Sequence, residues 1–334
     1  MPTYPGISTA AFRMPTYPGI STAAFRHPLD QNAEQTLRGI PGFDLLATSF
    51  LEYFYERPQH IYLTGNNIKV GPRQYGTLYG IYRECVRDLD IYPEPVLYIS
   101  QDPLANAYSL GHKQPYIVIN TALVDLLEEA EIRVVLAHEL GHIKCEHSVL
   151  ISMSLWVMGT ASLIGDLTLG LGKLMTSGLI YGFYEWRRLA ELSADRAALL
   201  VTDDLSPILR TMMKLAGGSQ KYQNECSLQE FLRQAEEYEQ LNEDNLNQVY
   251  KFLIYNGHTG TFLTHPFAVE RVSYLQHWAN SENYKNIRRG EYKRAGAEGS
   301  IEVKSSPGED EIAKLRQQIA DLKAEINRVK ANDK

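Results

Sequence analysis

Residues 134–147 read VVLAHELGHIKCEH and contain the pentapeptide His138-Glu139-Leu140-Gly141-His142. In a helix, residues four positions apart lie one turn along the axis and about 40° around it, so both imidazoles can reach one metal ion. Glu139 directly follows the first histidine, where its carboxylate can take a proton from a metal-bound water. The apolar residues before the motif predict a buried helix, which favours a zinc site over two histidines on an ordinary surface helix.

A third metal ligand is expected further along the chain. The sequence ELSAD at 191–195 lies in a charged and then apolar helical stretch, where Glu191 and Asp195 are one turn apart. Two histidines and one glutamate leave a fourth zinc position open, which is the catalytic rather than the structural arrangement. Asp195 would then orient a ligand imidazole by accepting a hydrogen bond from the ring nitrogen that does not bind the metal. The alternative is a solvated helix face on which the two carboxylates pair with Arg187, Arg188 or Arg196.

Four separated motifs occur in one order over residues 40–278. They are Asn106-Ala107-Tyr108 followed by YIVIN at 116–120, then HELGH, then ELSAD, and then Thr264-His265-Pro266 with Arg271 six residues after the histidine. Together they resemble the HtpX-like and CAAX-prenyl-protease-like family of gluzincin zinc metallopeptidases. The resemblance implies that one zinc ion per chain is bound by His138, His142 and Glu191, that Glu139 is the general base, and that His265 stabilises the transition state.

The resemblance also implies the fold. We expect an α+β domain, predominantly α, of the zincin type, with a small edge sheet just before the metal helix. Asn106 and Ala107 would begin the strand that binds substrate, because peptidases commonly add the substrate backbone to an exposed sheet edge. Arg271 is expected among the residues that support the metal ligands. Local patterns predict a helix at 74–89, a strand at 96–100 and two short strands within 106–120.

These residues predict a zinc-dependent metalloendopeptidase, a hydrolase that acts on a polypeptide substrate. Zinc would lower the pKa of its water, Glu139 would take the proton, and the zinc with His265 would hold the oxyanion. The expected role is protein quality control at a membrane. Two alternatives stay open: a non-peptide amidase that uses the same metal, and a catalytically idle scaffold that keeps zinc for folding and dimerises through its C-terminal helix. An intact Glu139 argues against the scaffold.

The composition indicates a globular protein of a reducing compartment. Of 334 residues, 44% are hydrophobic and 22% are charged, which is typical of a folded chain. The net charge of -7 argues against a nucleic-acid partner. Cys85, Cys145 and Cys226 are too few and too scattered for a disulfide framework. No secretory signal pattern is visible at the N-terminus, so we expect a cytoplasmic protein.

A perfect repeat opens the chain. Residues 1–13, MPTYPGISTAAFR, recur unchanged as residues 14–26. Two prolines and a glycine per copy make the unit a poor helix or strand, so residues 1–26 are predicted to form a disordered tail. The metallopeptidase domain is then expected at 27–294.

The stretch 148–184 is apolar and contains only two charges, Asp166 and Lys173. It divides into two arms of about seventeen residues, close to the lower limit for a membrane span. The sequence favours membrane contact through this hairpin, with the active site on the cytoplasmic side, because the resembled family includes intramembrane members. The alternative is a helical hairpin buried against the domain.

The C-terminal part reads as a linker and a helix. Residues 295–310 are rich in Gly, Ser, Glu and Pro, which is typical of a flexible linker. Residues 311–331 carry apolar residues at alternating spacings of three and four, and this predicts a short coiled coil and a homodimer. The alternative is a helix that docks on its own domain.

His147 is predicted to be structural. It lies nine positions after His138 and about 180° around the helix from it, so it is expected not to join the metal site.

Overall fold

The computed structural model describes residues 16–53, 56–111, 113–167, 171–256 and 265–295, without the side chains of 52–53, 158–167 and 171–177. The chain divides into two compact units, residues 1–293 and 294–334. Every helix and strand of the described residues belongs to the first unit.

Helices dominate the described residues, and a small sheet lies among them. The helices are α1 (Pro28–Arg38), α2 (Phe43–Tyr53), α3 (Arg57–Asn66), α4 (Gly76–Asp88), α5 (Thr121–Leu126), α6 (Glu129–Lys144), α7 (His147–Leu167), α8 (Leu171–Thr202), α9 (Leu205–Gly217), α10 (Leu228–Asn242), α11 (Asn245–Tyr255), α12 (Ala268–Asn280) and α13 (Glu282–Arg288). Two 3₁₀ turns occur at Thr22–Ala24 and Gln220–Glu225, and the strands are β1 (Ile68–Lys69), β2 (Val96–Ser100), β3 (Ala107–Leu110) and β4 (Tyr116–Asn120). The predicted α+β class with predominant helix is confirmed, as are the helix at 74–89 and the strands at 96–100 and within 106–120.

The sheet has the strand order β1-β2-β4-β3. Strand β2 runs parallel to β4, while β1 pairs with β2 and β3 pairs with β4 in antiparallel fashion. Side chains alternate between the two faces: Ile117 faces the core that contains α4 and α6, and Val118 faces Leu63 of α3. Because β3 is the last strand in the order β1-β2-β4-β3, it is an edge strand, and only one of its sides pairs with another described strand, β4.

Helix α6 is capped at its N-terminus and packs in the main core. Its first turn carries a capping box in which Glu128 and Glu131 exchange side-chain and backbone hydrogen bonds. The buried Glu131 carboxylate also accepts a hydrogen bond from Lys214 Nζ of α9 at 2.7 Å. Apolar residues Val134 and Leu136 fix the rest of the helix in the main core.

The second copy of the N-terminal repeat is part of the folded domain. Tyr17, Ile20 and Phe25 are at most 1% exposed and belong to the main core. Gly19 adopts a positive φ of 69°, and its N–H donates to Asp90 Oδ2 at 2.6 Å. For residues 16–26 the predicted disordered tail is therefore wrong, because the aromatic and aliphatic side chains of the repeat bury themselves against α4 and the C-terminal helices. The other residues of the repeat lie outside the described part of the chain.

The apolar stretch 148–184 forms most of α7 and the N-terminal part of α8. At the ends of the arms where side chains are described, Leu150, Val157 and Phe183 are buried in a second core with Phe43 and Phe50 of α2. Among the described residues, no helix combines the length and the apolarity needed to cross a membrane. The predicted linker, apart from its first residue, and the predicted coiled coil lie outside the described residues.

Candidate metal centre

Helix α6 presents the two histidines of the HELGH motif on one side. Their Nε2 atoms face each other at 3.2 Å, and the ring centroids are 4.8 Å apart. The His138 side chain is 12% exposed and that of His142 is 4% exposed. Two imidazoles one turn apart are thus aimed at the same small volume, as the spacing predicts.

The third donor, Glu191, comes from α8. Its Oε2 lies 3.3 Å from His138 Nε2, and its Oε1 lies 3.3 Å from His142 Nε2. One donor atom from each of the three residues can be chosen so that all lie within 4.8 Å of one another. Glu191 Oε2 is buried and has no hydrogen-bond partner in the described part of the chain. Two imidazole nitrogens and a buried carboxylate fit a divalent metal ion.

The electrostatics of the cluster favour a cation. Burial alone would lower the pKa of His138, but the carboxylates of Asp195 and Glu191 raise it to about 10. Burial alone would raise the pKa of Glu191, but His265, His138 and His142 hold it well below its ordinary value. The carboxylates thus remain charged and attract positive charge to the point where the three donors converge.

On the side away from the metal position, the His138 ring faces an ion pair between Asp195 and Arg271. His138 Nδ1 is 3.0 Å from Asp195 Oδ1, so the ring can donate there while Nε2 faces the metal position. Arg271 of α12 grips the same carboxylate with Nε at 2.8 Å from Oδ2 and Nη2 at 2.5 Å from Oδ1. Its Nη1 is 3.4 Å from Glu191 Oε2.

The alternative of a solvated helix face is wrong, because Glu191 and Asp195 are both 3% exposed. Arg188 instead pairs with Glu185 and lies over the ring of Tyr255. Arg196 donates to the carbonyl oxygen of Phe25 and lies over the Trp278 ring.

Helices α6 and α8 approach closely beside the ligands. A Cβ atom added at Gly141 would lie 2.6 Å from Ala197 Cβ and 3.1 Å from Ala194 Cα. Ala194 and Ala197 have no exposed surface. Only a glycine opposite small residues lets Glu191 reach the two histidines at this separation. The signal in the sequence is the run of alanines on one face of α8.

His147 occupies a different place from the one predicted. Helix α6 ends at Lys144, Glu146 takes a left-handed φ of 60°, and α7 begins at His147. This turn folds His147 back, so its Nδ1 lies 3.1 Å from Nδ1 of His142. The prediction that His147 lies on the far side is wrong because it assumed one continuous helix. His147 is fully buried, and burial lowers its pKa.

Glu139 lies where two clefts meet, and it is 6% exposed. The first cleft runs along β3 and is lined by Asn106, Ala107 and His265 among others. His265 Nε2 is 3.6 Å from Glu191 Oε1, and its side chain is about half exposed. The predicted catalytic and substrate-binding residues are therefore brought together around one opening.

The second cleft is a cavity of about 540 Å³ with mostly apolar walls. His138, Glu139 and His265 are among the residues that line it. Side chains of α6 and α9 form much of its surface, among them Val134, Val135, Ile208 and Met212. Such a cavity can hold an apolar side chain next to the metal position.

Arg187 also lines the first cleft, next to Glu139, His142 and Glu191. Burial lowers its pKa, although Glu191 acts in the opposite direction. The sequence pattern indicates Arg187 only as a partner of the carboxylates on a solvated helix face. Its position one turn before Glu191 on α8 was the signal that it faces the same cleft.

Comparison with known proteins identifies relatives of the chain. The model of Peptidase family M48 matches residues 72–279, which include all the residues around the metal position named above. The plastoglobule-localized metallopeptidase 48, chloroplastic, of Arabidopsis thaliana is 34% identical over 283 residues, covering 82% of this chain and 76% of that protein.

More distant relatives are named as HtpX proteases. Protease HtpX homolog 2 of Methanosarcina mazei is 26% identical over 188 residues, covering 50% of this chain and 63% of the relative. A Protease HtpX homolog of Dictyoglomus thermophilum is 30% identical over 133 residues, covering 39% of this chain and 40% of the relative. The chain thus spans less than two thirds of each of these two HtpX relatives. No solved structure matches the chain.

Proposed function

Because the chain belongs to peptidase family M48 and its relatives are HtpX-like metallopeptidases, we propose that it is a zinc-dependent endopeptidase. The observation that carries this proposal is the buried His138–His142–Glu191 cluster with Glu139 beside it at the junction of two clefts. Three protein donors leave a position for substrate and water, which is the catalytic arrangement. Zinc suits this donor set of two imidazoles and a carboxylate.

Zinc held by His138, His142 and Glu191 would supply Lewis acidity and a water of lowered pKa. The Glu139 carboxylate takes a proton from the water that attacks the peptide carbonyl, and it delivers this proton to the leaving amine. One water is consumed, the C–N bond breaks, and a carboxylate and an amine are released. Arg271 and Asp195 hold His138 in place throughout the reaction.

His265 is proposed to donate a hydrogen bond to the developing oxyanion. Three features support this: its imidazole lines both clefts, lies 3.6 Å from Glu191 and is half exposed, so a substrate can reach it. A donor aimed at charge that appears only in the transition state lowers the barrier without tightening substrate binding.

The substrate backbone is proposed to pair with β3. Support comes from the sheet order, in which β3 is an edge, and from the cleft that runs along Asn106 and Ala107 to Glu139. An extended chain added to this edge would pass the metal position rather than end there, which fits an endopeptidase. The neighbouring apolar cavity favours substrates with a large apolar side chain next to the cleaved bond.

A peptidase assay with Glu139→Gln tests the proposal. The variant should bind one zinc ion per chain with wild-type affinity, yet lose cleavage of an unfolded protein such as reduced casein. The neighbouring Glu146→Gln, an exposed residue after α6, serves as the control and should keep activity.

Turnover by Glu139→Gln would show that another group is the base. Wild-type protein that binds zinc but cleaves neither casein nor simple amides would favour the idle scaffold. Cleavage of simple amides alone would favour the amidase.

We place this activity in protein quality control on the cytoplasmic face of a membrane, with contact through residues 148–184. The support is the apolar composition of that stretch and exposed apolar side chains such as Leu155 and Tyr181 at its described ends. Flotation of the purified protein with lipid vesicles tests the contact, and a protein that stays at the bottom of the gradient would remove the membrane from the proposal.

A further inference from the structure

A line of buried polar groups leads from the metal position to the N-terminal segment of the chain. His142 Nδ1 contacts His147 Nδ1 at 3.1 Å, and His147 Nε2 contacts Asp30 Oδ2 of α1 at 3.1 Å. Both His147 and Asp30 have no exposed surface. Trp186 packs edge-on against the His147 ring with centroids 5.6 Å apart, so protein rather than water surrounds the line.

The Asp30 carboxylate accepts hydrogen bonds from several side chains. Arg26 donates to both of its oxygens, from Nε to Oδ2 at 2.7 Å and from Nη2 to Oδ1 at 2.9 Å. The hydroxyl of Ser193 donates to Oδ2 at 2.6 Å. Burial alone would raise the pKa of Asp30, but His147 and Arg26 hold it well below its ordinary value. An ionised carboxylate has no proton to give, so His147 must donate to it from Nε2.

The ionised Asp30 carboxylate determines which ring nitrogen of each histidine carries the proton. A neutral His147 with its proton on Nε2 carries a lone pair on Nδ1. That lone pair accepts the Nδ1 proton of His142, because the two Nδ1 atoms are in contact. The lone pair of His142 is therefore on Nε2, the atom that faces His138 and Glu191. The reverse tautomer of His142 would place a proton at the metal position.

We propose that Asp30 and His147 are positioning residues of the metal site, which fix the tautomer and the ring orientation of His142 through two hydrogen bonds in series. The two histidine ligands are thus supported differently. His138 contacts a carboxylate directly through Asp195, whereas His142 reaches one through an intervening imidazole. The inference rests on the proposed metal site, and it adds a contribution from the N-terminal segment.

The arrangement explains why the N-terminal segment packs in the domain. Asp30 precedes the region 72–279 that matches the family model, and Arg26 is the last residue of the second repeat copy. The link to α8 is made by Ser193, which lies between Glu191 and Asp195 and also accepts a hydrogen bond from the backbone N–H of His27 at 2.9 Å. One stretch of α8 therefore carries both a metal donor and a contact that holds the distant carboxylate.

Metal affinity tests the proposal without any assay of activity. Zn²⁺ is titrated into metal-free protein in competition with a chromophoric chelator, for the wild type, Asp30→Asn and His147→Gln. Each variant should bind Zn²⁺ roughly 10- to 100-fold more weakly, the usual effect of removing a group that orients a ligand. The visible spectrum of the Co²⁺-substituted protein should also change in both variants, because the ring of His142 loses its fixed orientation.

Asp88→Asn is the matched control. Asp88 is also an aspartate of 0% exposure paired with an arginine, and in the described part of the chain the hydrogen bonds of its side chain join it to Arg87 and not to a metal ligand. This variant should keep Zn²⁺ affinity and the Co²⁺ spectrum. Circular dichroism of the metal-free proteins separates folding from metal binding, and His147→Gln decides the question if Asp30→Asn does not fold.

The double variant Asp30→Asn with His147→Gln provides a second criterion. Two residues that act in series should give a combined loss of affinity no larger than that of the weaker-binding single variant. Wild-type affinity in both single variants, or a fully additive loss in the double variant, would overturn the inference. Wild-type protein that binds no metal would instead overturn the proposed function.

Discussion

Charge balance constrains each residue of the metal centre. Glu139, Glu191 and Asp195 are carboxylates with at most 6% exposure. Arg271 is paired with Asp195 and also lies 3.4 Å from Glu191. A buried ion without a partner costs several kcal/mol of desolvation free energy. A divalent ion bound by the three donors would supply positive charge that offsets this cost for the carboxylates. Metal that binds only the folded chain then stabilises it by mass action.

The two carboxylates of α8 should differ in their effect on metal binding. Glu191→Ala removes a donor atom, whereas Asp195→Ala removes a group that only orients His138. Glu191→Ala should therefore weaken Zn²⁺ binding by at least about tenfold more than Asp195→Ala, whose loss should be roughly 10- to 100-fold. Chelator competition measures both. Glu185→Ala, at an exposed position of the same helix, is the control and should bind normally. A larger loss in Asp195→Ala would reverse the assignment.

Removal of His265 should affect the reaction and not the metal. If His265 donates to the oxyanion, His265→Ala lowers kcat and kcat/KM together by roughly 100- to 1,000-fold. Zinc content and melting temperature should barely change, because His265 is half exposed. Steady-state kinetics on a peptide substrate measure the effect.

His277→Ala, which changes an exposed histidine of α12, is the matched control and should be fully active. Loss of zinc or near-normal turnover in His265→Ala would exclude His265 from the proposed catalytic role.

At the scale of single residues, the sequence predicts contacts that a regular helix makes within a few positions. His138, Glu139 and His142 are readable because the helical repeat alone brings them together. His147 was misplaced because the left-handed turn at Glu146 breaks the repeat within a few residues. Asp30 could not be found at all, since its contact with His147 spans more than a hundred positions and follows only from the packing of α1 on α8.

Among the elements, the pairing of α6 with α8 sets the geometry of the site. The distance between the two helices decides whether Glu191 can meet the histidines, and it depends on Gly141 facing Ala194 and Ala197. Helix packing at such short range needs residues without bulk on both sides.

Gly141→Ala should therefore destabilise the domain and weaken its metal site. The added methyl group would lie 2.6 Å from Ala197 Cβ, so the helices must separate. Overpacking of this kind costs roughly 1–3 kcal/mol, and we expect weaker Zn²⁺ binding as Glu191 moves away. Urea denaturation and chelator competition measure the two effects.

Gly80→Ala in the middle of α4 is the control with the opposite expectation. A Cβ atom there would meet nothing within 4 Å, so alanine should stabilise the helix by roughly 0.5–1 kcal/mol. A Gly141→Ala variant with unchanged stability and metal affinity would show that the close approach of α6 and α8 is not needed.

Periodic elements were predictable and irregular ones were not. Strands β2 and β4 consist of consecutive apolar residues between turn signals, and the sequence places them correctly. Helix α3 has one buried residue, Leu63, and no apolar period, so the sequence pattern does not predict it. The second repeat copy was missed for a related reason: its core residues are tied down by turns rather than by a helix or strand.

At the scale of the whole molecule, the predicted coiled coil concerns association between chains. Residues 311–331 carry six apolar residues in a seam, Ile312, Leu315, Ile319, Leu322, Ile326 and Val329. Removal of residues 308–334 should convert a dimer into a monomer without a change in zinc content, because the metal donors all lie in the first unit. Light scattering coupled to size exclusion measures the mass.

Point variants sharpen this test of the seam. Leu315→Asp with Leu322→Asp should also give a monomer, whereas Gln318→Asp, off the seam, should leave the dimer intact. An identical mass for the full-length and shortened chains would favour the alternative, in which the predicted helix docks on its own domain.

The metal centre draws on widely separated parts of the chain, and this has a consequence for its synthesis. His138 leaves the ribosome before Glu191 and Arg271, which follow 53 and 133 residues later. At roughly 5–20 residues per second, that interval is on the order of ten seconds. A nascent or prematurely terminated chain that ends before Glu191 carries the histidines without their carboxylate, and one that ends before Arg271 lacks the arginine that neutralises Asp195. The peptidase site is completed only when translation has nearly finished the domain. Incomplete chains therefore cannot hydrolyse the peptide bonds of nearby proteins.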